Sequence, residues 1–448
     1  MPRRLQLRRL AVGLALLCIL AVAGSISPLS GQPTVVSQRF AGTTLHFAAQ
    51  PDVFAEPVRR LLPRFEQESG IKVVMETIPY AGLREKQLLD FTSRRATYDV
   101  VTMDIVWMGE YAEAGWIEPL ARYINRDRAV VQWDDLLPGS IKGLATWKDQ
   151  IYGMPLGAYY YLLHYRTDVF RQMNLKVPET LVEMRSVVQK LHDPPTRYGF
   201  SSGYARGAPL VHDSVAYLAG AGGSILKDFP RNYKPQMSSH IARTVYHFYK
   251  DMLNYAPPGA LGFGFFARRE PFHQGRVAIM GVWSSTSAAF EDPRQTLPTV
   301  IGNVGYSFMP KSNPAQRPVV PFGGWALVIN RYTEKKDAAW EFIKWLTSPQ
   351  IQRAYAADGG TPIRYSTLRD PELSAKNKWY RVILEAEAKG YVQYEVRPRI
   401  PEWPKMEEIM ARHLSEAMAG SKTIERALNE IDAELEALLR KAGYPIRD

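Results

Sequence analysis

Aromatic residues at the ends of apolar runs, with carboxylates, amides and guanidinium groups near them, recur along this 448-residue chain. Such rings cover the C–H faces of a sugar, and such polar groups exchange hydrogen bonds with its hydroxyls. Trp283 follows an apolar stretch and precedes Ser284-Ser285, which reads as a ring projecting from a strand end for stacking or as an ordinary core Trp. Trp325 follows Gly323 and Gly324, and two glycines let backbone approach a ligand closely, so Gly324 and Trp325 read as cleft residues. Asp104 ends a short apolar run, where a charge is costly unless it binds ligand or caps a helix. Trp107 lies just beyond, as a cleft ring or a helix-core ring. Tyr159, Tyr160 and Tyr161 are consecutive; strand alternation points Tyr159 and Tyr161 the same way, with Tyr159 favoured for the cleft. Tyr80 and Tyr204 are loop aromatics. Arg206 and Arg364 suit hydroxyls or an anionic group, or surface salt bridges.

Motifs for catalysis are missing. His164, His192 and His212 lack metal-ligand spacing, and no Gly-x-Ser-x-Gly elbow occurs. Gly262 and Gly264 do not continue into a dinucleotide fingerprint. Asp134-Asp135 and Glu291-Asp292 are adjacent pairs, whereas glycoside hydrolysis needs carboxylates facing each other across a bond. No cofactor and no metal site are expected.

The elements that position these residues alternate in type. Strands are expected at Thr44–Ala49, Ile71–Ile78 and Asp99–Asp104, with helices at Val53–Ser69 and Leu83–Ser93 between them. This alternation implies parallel βαβ units, and open α/β sheets bind ligands beyond the carboxyl ends of their strands. Gln50, Asp52, Tyr80, Asp104 and Trp107 share that rim. Further helices are expected at 178–192, 240–255, 404–418 and 423–441, with Thr333 capping one that carries Phe342 and Leu346.

With 46% hydrophobic and 23% charged residues the chain is globular, and its length calls for two lobes. Arg3, Arg4, Arg8 and Arg9 precede an apolar run, Leu10–Val22, and a small-residue Ala21-Val22-Ala23 site. That run is short for a membrane span and reads as a cleaved export signal over 1–24, followed by a flexible leader over 25–40. The twin-arginine pattern lacks its Phe-Leu, which favours general secretion. Cys18, the single cysteine, follows Leu17 rather than the small residue that lipidation needs, so a mature chain would have no thiol. Removing the four signal arginines takes the formal charge from +11 to +7. The remaining basic residues are scattered rather than striped, so no nucleic-acid partner is expected.

Several blocks occur in a familiar order. They are FEQESGIKV (65–73), YDVVTMD (98–104), Trp107 with Gly115-Trp116 and Glu118-Pro119-Leu120, YGMPLGAYYYLLHYRTDVF (152–170), FHQGRVAIMGVW (272–283), and the long passage 320–364 with Gly323-Gly324-Trp325, Ser348-Pro349 and Gly359-Gly360-Thr361-Pro362. The chain resembles the extracellular solute-binding proteins of ABC importers, in particular the maltose-binding-like group, over residues 42–440. It departs from them at Arg166, where Asn is usual. The resemblance implies a two-lobed α/β fold of the periplasmic-binding-protein type II kind, each lobe a mixed sheet flanked by helices. It assigns 41–155 and 278–325 to the first lobe and 156–277 and 326–448 to the second, with crossings near 155, 278 and 325. It further implies a periplasmic or extracellular monomer that binds a sugar or oligosaccharide in the hinge cleft, performs no chemistry and serves the permease subunits of an importer. A polyol or glycerol phosphodiester receptor of the same fold and a secreted carbohydrate-active enzyme are the alternatives. Arg364 gains weight as a cleft residue from the Gly-Gly-Thr-Pro loop before it.

Overall fold

The computed structural model describes residues 36–447; the expected signal segment and most of the expected leader lie outside them. The chain opens with β1 (Thr44–Ala49), α1 (Ala55–Ser69), β2 (Lys72–Thr77), α2 (Tyr80–Ser93) and β3 (Val100–Asp104). Val58, Leu62 and Phe65 recur at helical spacing on the buried face of α1, and Gly70 ends that helix at φ +69°. β3 is buried throughout, as a central strand covered on both faces must be. β1 runs parallel to both β2 and β3.

After a small hairpin, β4 (Thr146–Trp147) with β5 (Gln150–Ile151), comes β6 (Met154–Arg166), then β7 (Tyr198–Ser201), β8 (Val277–Trp283), β9 (Val304–Ser307), β10 (Val320–Ile329) and β11 (Val392–Gln393). The main sheet has the order β2-β1-β3-β10-β6-β8-β7, with β9 also on β6 and β11 on β10. The 13-residue β6 joins its two halves. Residues 154–160 pair antiparallel with β10, whereas 161–166 pair with β8 and β9. On the first half, Phe342 of the helix Lys336–Leu346 packs 5.5 Å from Phe47 and 5.1 Å from Phe65. The second half is backed by Ala208–Gly220, against which Trp403–Met418 packs.

This topology moves the expected lobe boundaries. Residues 277–283 and 304–307 lie in the second half of the sheet, beside Tyr198–Ser201, and not in the first lobe. Val328 and Ile329 pair with Val101 and Val100, so 326–329 belongs to the first lobe. The return therefore occurs through β10 and not near 278, because β8 finds its backbone partners along the far half of β6. The last passage follows β11, where Arg399 donates to the Gly143 and Thr146 carbonyls shortly before the helix Trp403–Met418. The helix after Thr333 begins at Lys336; the Thr333 hydroxyl oxygen accepts from the Lys335 amide at 3.1 Å at its start and the hydroxyl donates to Asp99. Among the described residues no helix is long and apolar enough to cross a membrane.

Candidate functional site

The carboxyl ends of the first-lobe strands form one wall of a cavity. Register places Asp104, the last residue of β3, directly opposite Trp325 on β10. Tyr80 opens α2, and its hydroxyl donates to Asp104 Oδ2 at 2.9 Å. Burial and the Asp104 charge hold the Tyr80 phenol well above its usual pKa, so it remains a donor. Beyond β1, Asp52 Oδ1 accepts from the Val53 amide at 2.7 Å and Oδ2 accepts from Tyr159 Oη at 3.3 Å. Burial raises the Asp52 pKa, and the charge of Arg269 opposes that rise. Gln50 is fixed through its backbone amide to Thr102 Oγ1 at 3.2 Å, and its buried Oε1 has no partner.

The second lobe supplies mainly donors. Arg268 and Arg269 precede β8, and Trp283 ends it. Arg268 Nη1 lies 2.7 Å from Asp213 Oδ2, a buried ion pair. Arg269 Nη1 donates to Thr286 Oγ1 at 2.9 Å, and burial lowers its pKa to about 10 despite the Asp52 charge. From the segment after β11, Arg397 lays its guanidinium 5.1 Å from the Trp283 ring centre and places Nη1 3.2 Å from the His212 ring nitrogens. His212 Nε2 in turn lies 2.6 Å from Glu407 Oε1. The rings meet across the cavity: Tyr80 is 6.0 Å from Trp325, 6.2 Å from His212 and 5.9 Å from Phe265. The space between them is small, about 60 Å³. It shares Asp52, Phe266, Arg269 and Ser285 with a wider outer cleft of about 530 Å³.

Gln50, Asp52, Tyr80 and Asp104 come together here from the first-lobe rim, and Tyr159, Trp283, Gly324 and Trp325 from the strands. Other residues singled out from sequence do not line the cavity. Trp107 stands behind it, 5.4 Å from Tyr80 and 5.7 Å from Trp325, and orients both rings. Tyr204 is a core residue whose hydroxyl donates to the Tyr249 carbonyl at 2.8 Å. Arg364 is wholly buried and donates to the carbonyls of Val131, Gln132 and Thr347, so its fork ties loops together. Arg206 is exposed. Tyr160 donates to Glu387 and Tyr161 to the Gly281 carbonyl, and neither lines the cavity. Gly324 has a packing reason of its own: at φ +135°, a Cβ there would sit 2.1 Å from the Gly157 carbonyl oxygen of β6.

Sequence reasoning missed Arg268, Arg269, Arg397 and His212. The run Phe265-Phe266-Ala267-Arg268-Arg269 was the available signal for the first pair, since rings and cations adjoin in it. Arg397 and His212 carry no local signal, because each acquires its surroundings only through distant segments. Among the described residues no group of His, Cys, Asp and Glu is placed to hold a metal ion.

Residues 49–353 match the family model described as bacterial extracellular solute-binding protein. A solute-binding protein of Agrobacterium radiobacter K84, solved in complex with ribitol, superposes with a TM-score of 0.84 at 34% identity, covering 89% of this chain and 99% of that one. A mannitol-binding protein of Pseudomonas aeruginosa is 26% identical over 81% of this chain and 85% of its own length. A protein of Sinorhizobium fredii named "probable amino-acid ABC transporter periplasmic-binding protein" is 23% identical over 98% of this chain and 99% of its own.

Proposed function

The chain belongs to the bacterial extracellular solute-binding protein family, and from that footing we propose that its inter-lobe cavity captures a small polyhydroxylated solute, an open-chain polyol above all. The carrying observation is the pairing of unlike walls. Acceptors, Asp52, Asp104 and Gln50 Oε1, stand on one lobe, and guanidinium donors stand on the other. A hydroxyl both donates and accepts, so a polyol uses both walls at once and does so only when the lobes are closed. A site built for hydroxyls rejects apolar ligands, since its buried polar groups would be left unpaired.

The closed form then presents the solute to the permease subunits of an importer, and the protein releases it chemically unchanged. Asp52 lies just beyond β1 and Asp104 ends the neighbouring β3 of the same lobe, an arrangement that supports binding rather than glycoside hydrolysis, for which carboxylates flank the bond. The basic-then-apolar N-terminal sequence supports export by a cleaved signal, with the mature chain acting as a monomer.

Thermal-shift titration with ribitol, D-mannitol, maltose and an L-amino acid panel tests this reading. At about 100 Kd a ligand contributes ~2.7 kcal/mol, which moves Tm by ~3 °C for a folded unit of this size. A polyol should produce that shift, reduce the radius of gyration in small-angle scattering, and be recovered intact. A shift with amino acids and none with polyols or sugars would overturn the assignment.

A further inference from the structure

Arg397 is a buried cation, 4% exposed, and among the described residues no carboxylate accepts a hydrogen bond from it. Among the described residues its only hydrogen-bond partner is the His212 ring, whose Nε2 is already held by Glu407. Its Nε is buried without a partner. The rest of its surroundings fix the fork in place. The guanidinium lies on Trp283, and a Cβ at Gly323 would come within 2.7 Å of Nη2, so the absence of a side chain at 323 makes room for it. Two residues on, Arg399 anchors the same segment to the Gly143 and Thr146 carbonyls and to Glu395.

Two consequences follow from one placement. Trp283, 7% exposed, has Arg397 over its ring and Tyr161 against it in a T-shaped contact at 5.0 Å, so a pyranose cannot stack there while the guanidinium stays. The unpartnered Nε–H lies beside Nη2 in the planar fork, a spacing suited to two adjacent oxygens. A buried donor left unpaired is costly, and vicinal hydroxyls of an extended chain would satisfy it. We propose that Arg397 determines selectivity in this receptor: it bars sugar rings from the Trp283 face and clasps vicinal hydroxyls of an open-chain polyol. This inference rests on the polyol reading above.

The test is isothermal titration of the exported full chain with ribitol, D-mannitol, methyl α-D-glucopyranoside and maltose, on wild type, Arg397→Ala, Arg397→Lys and Gly323→Ala. Wild type should bind at least one of the polyols more tightly than either pyranoside. Arg397→Ala should weaken that polyol by about tenfold or more, from the loss of charged donors, and should strengthen a pyranoside, so that the preference narrows or inverts. Arg397→Lys, which keeps the charge but not the fork, should weaken the polyol without admitting the pyranosides. Gly323→Ala should weaken the polyol by displacing the fork, and it serves if Arg397→Ala fails to fold. Equal loss for polyol and pyranoside in Arg397→Ala, or an unchanged polyol affinity in Arg397→Ala or in Gly323→Ala, overturns the inference while leaving the polyol reading intact. Failure of wild type to bind any polyol removes the reading and the inference together.

Discussion

Asp213→Asn separates the stability of the second lobe from its role in binding. Asp213 is fully buried, and its Oδ2 accepts from Arg268 Nη1 at 2.7 Å, Gly203 N at 2.8 Å and Ser202 Oγ at 3.1 Å. Asn preserves shape and can still accept from Gly203 and Ser202, but it leaves the buried Arg268 cation uncompensated. Breaking a buried pair from one side typically costs ~3–5 kcal/mol. Asp213 Oδ1 and Arg268 Nε have no partners, and burial already raises the Asp213 pKa against the pull of Arg268. The pair is therefore incompletely satisfied, and the lower end, ~3 kcal/mol, is expected. With an unfolding entropy of ~2.1 cal/mol/K per residue over roughly 410 residues, that loss lowers Tm by ~3 °C. Urea denaturation of wild type, Asp213→Asn, Arg268→Met and the double variant measures the terms. The double variant should be less destabilised than the sum of the singles by about 2 kcal/mol, yet remain weak in ligand binding because Arg268 lines the cavity. A loss below about 1 kcal/mol in Asp213→Asn, or strict additivity of the singles, would refute the reasoning.

Three further outcomes are expected. Asp52→Asn should weaken ligand binding but raise the Tm of the ligand-free protein at pH 7. Burial lifts the Asp52 pKa above its ordinary 3.8, so the folded state holds that proton more tightly, and stability is lost as pH rises from the unfolded value through the folded one. The Tm gap between variant and wild type should therefore close as pH falls toward 4; a gap independent of pH contradicts this. Gly324→Ala should cost ~3 kcal/mol, because the new Cβ would meet the Gly157 oxygen at 2.1 Å and hold φ +135°. Unchanged thermal unfolding would show that β6 and β10 yield easily. Arg364→Ala should destabilise by ~3 kcal/mol by orphaning the buried carbonyls of Val131, Gln132 and Thr347 while leaving polyol affinity within about twofold; a larger affinity loss in titration calorimetry would return Arg364 to the site.

The first-lobe rim was legible because its signals are local. A strand such as Val100–Asp104 announces itself by an apolar run, and the carboxylate at its end is where parallel sheets collect ligand residues. The same logic reaches Gln50, Asp52 and Tyr80. It fails for Tyr204, which looks like a loop aromatic but packs against Tyr249, and for Arg364, which joins Thr347 to Val131 and Gln132, more than 200 residues away in sequence. Alternation correctly separates Tyr160 from its neighbours but cannot tell Tyr159, which reaches Asp52, from Tyr161, which packs on Trp283.

By itself the sequence determined the opening alternation of strands and helices, the α/β class and the residues at the strand ends of one rim, since periodicity and strand-end chemistry are properties of short stretches; chain length called for two lobes. Only the tertiary structure decided which half of β6 each later strand joins, and therefore which lobe residues 277–329 serve. It alone also brought Arg268, Arg269, His212 and Arg397 to face the carboxylates and set a guanidinium on Trp283. Strand register and buried charge pairing are settled by contacts between residues far apart in the chain, and no local pattern encodes them.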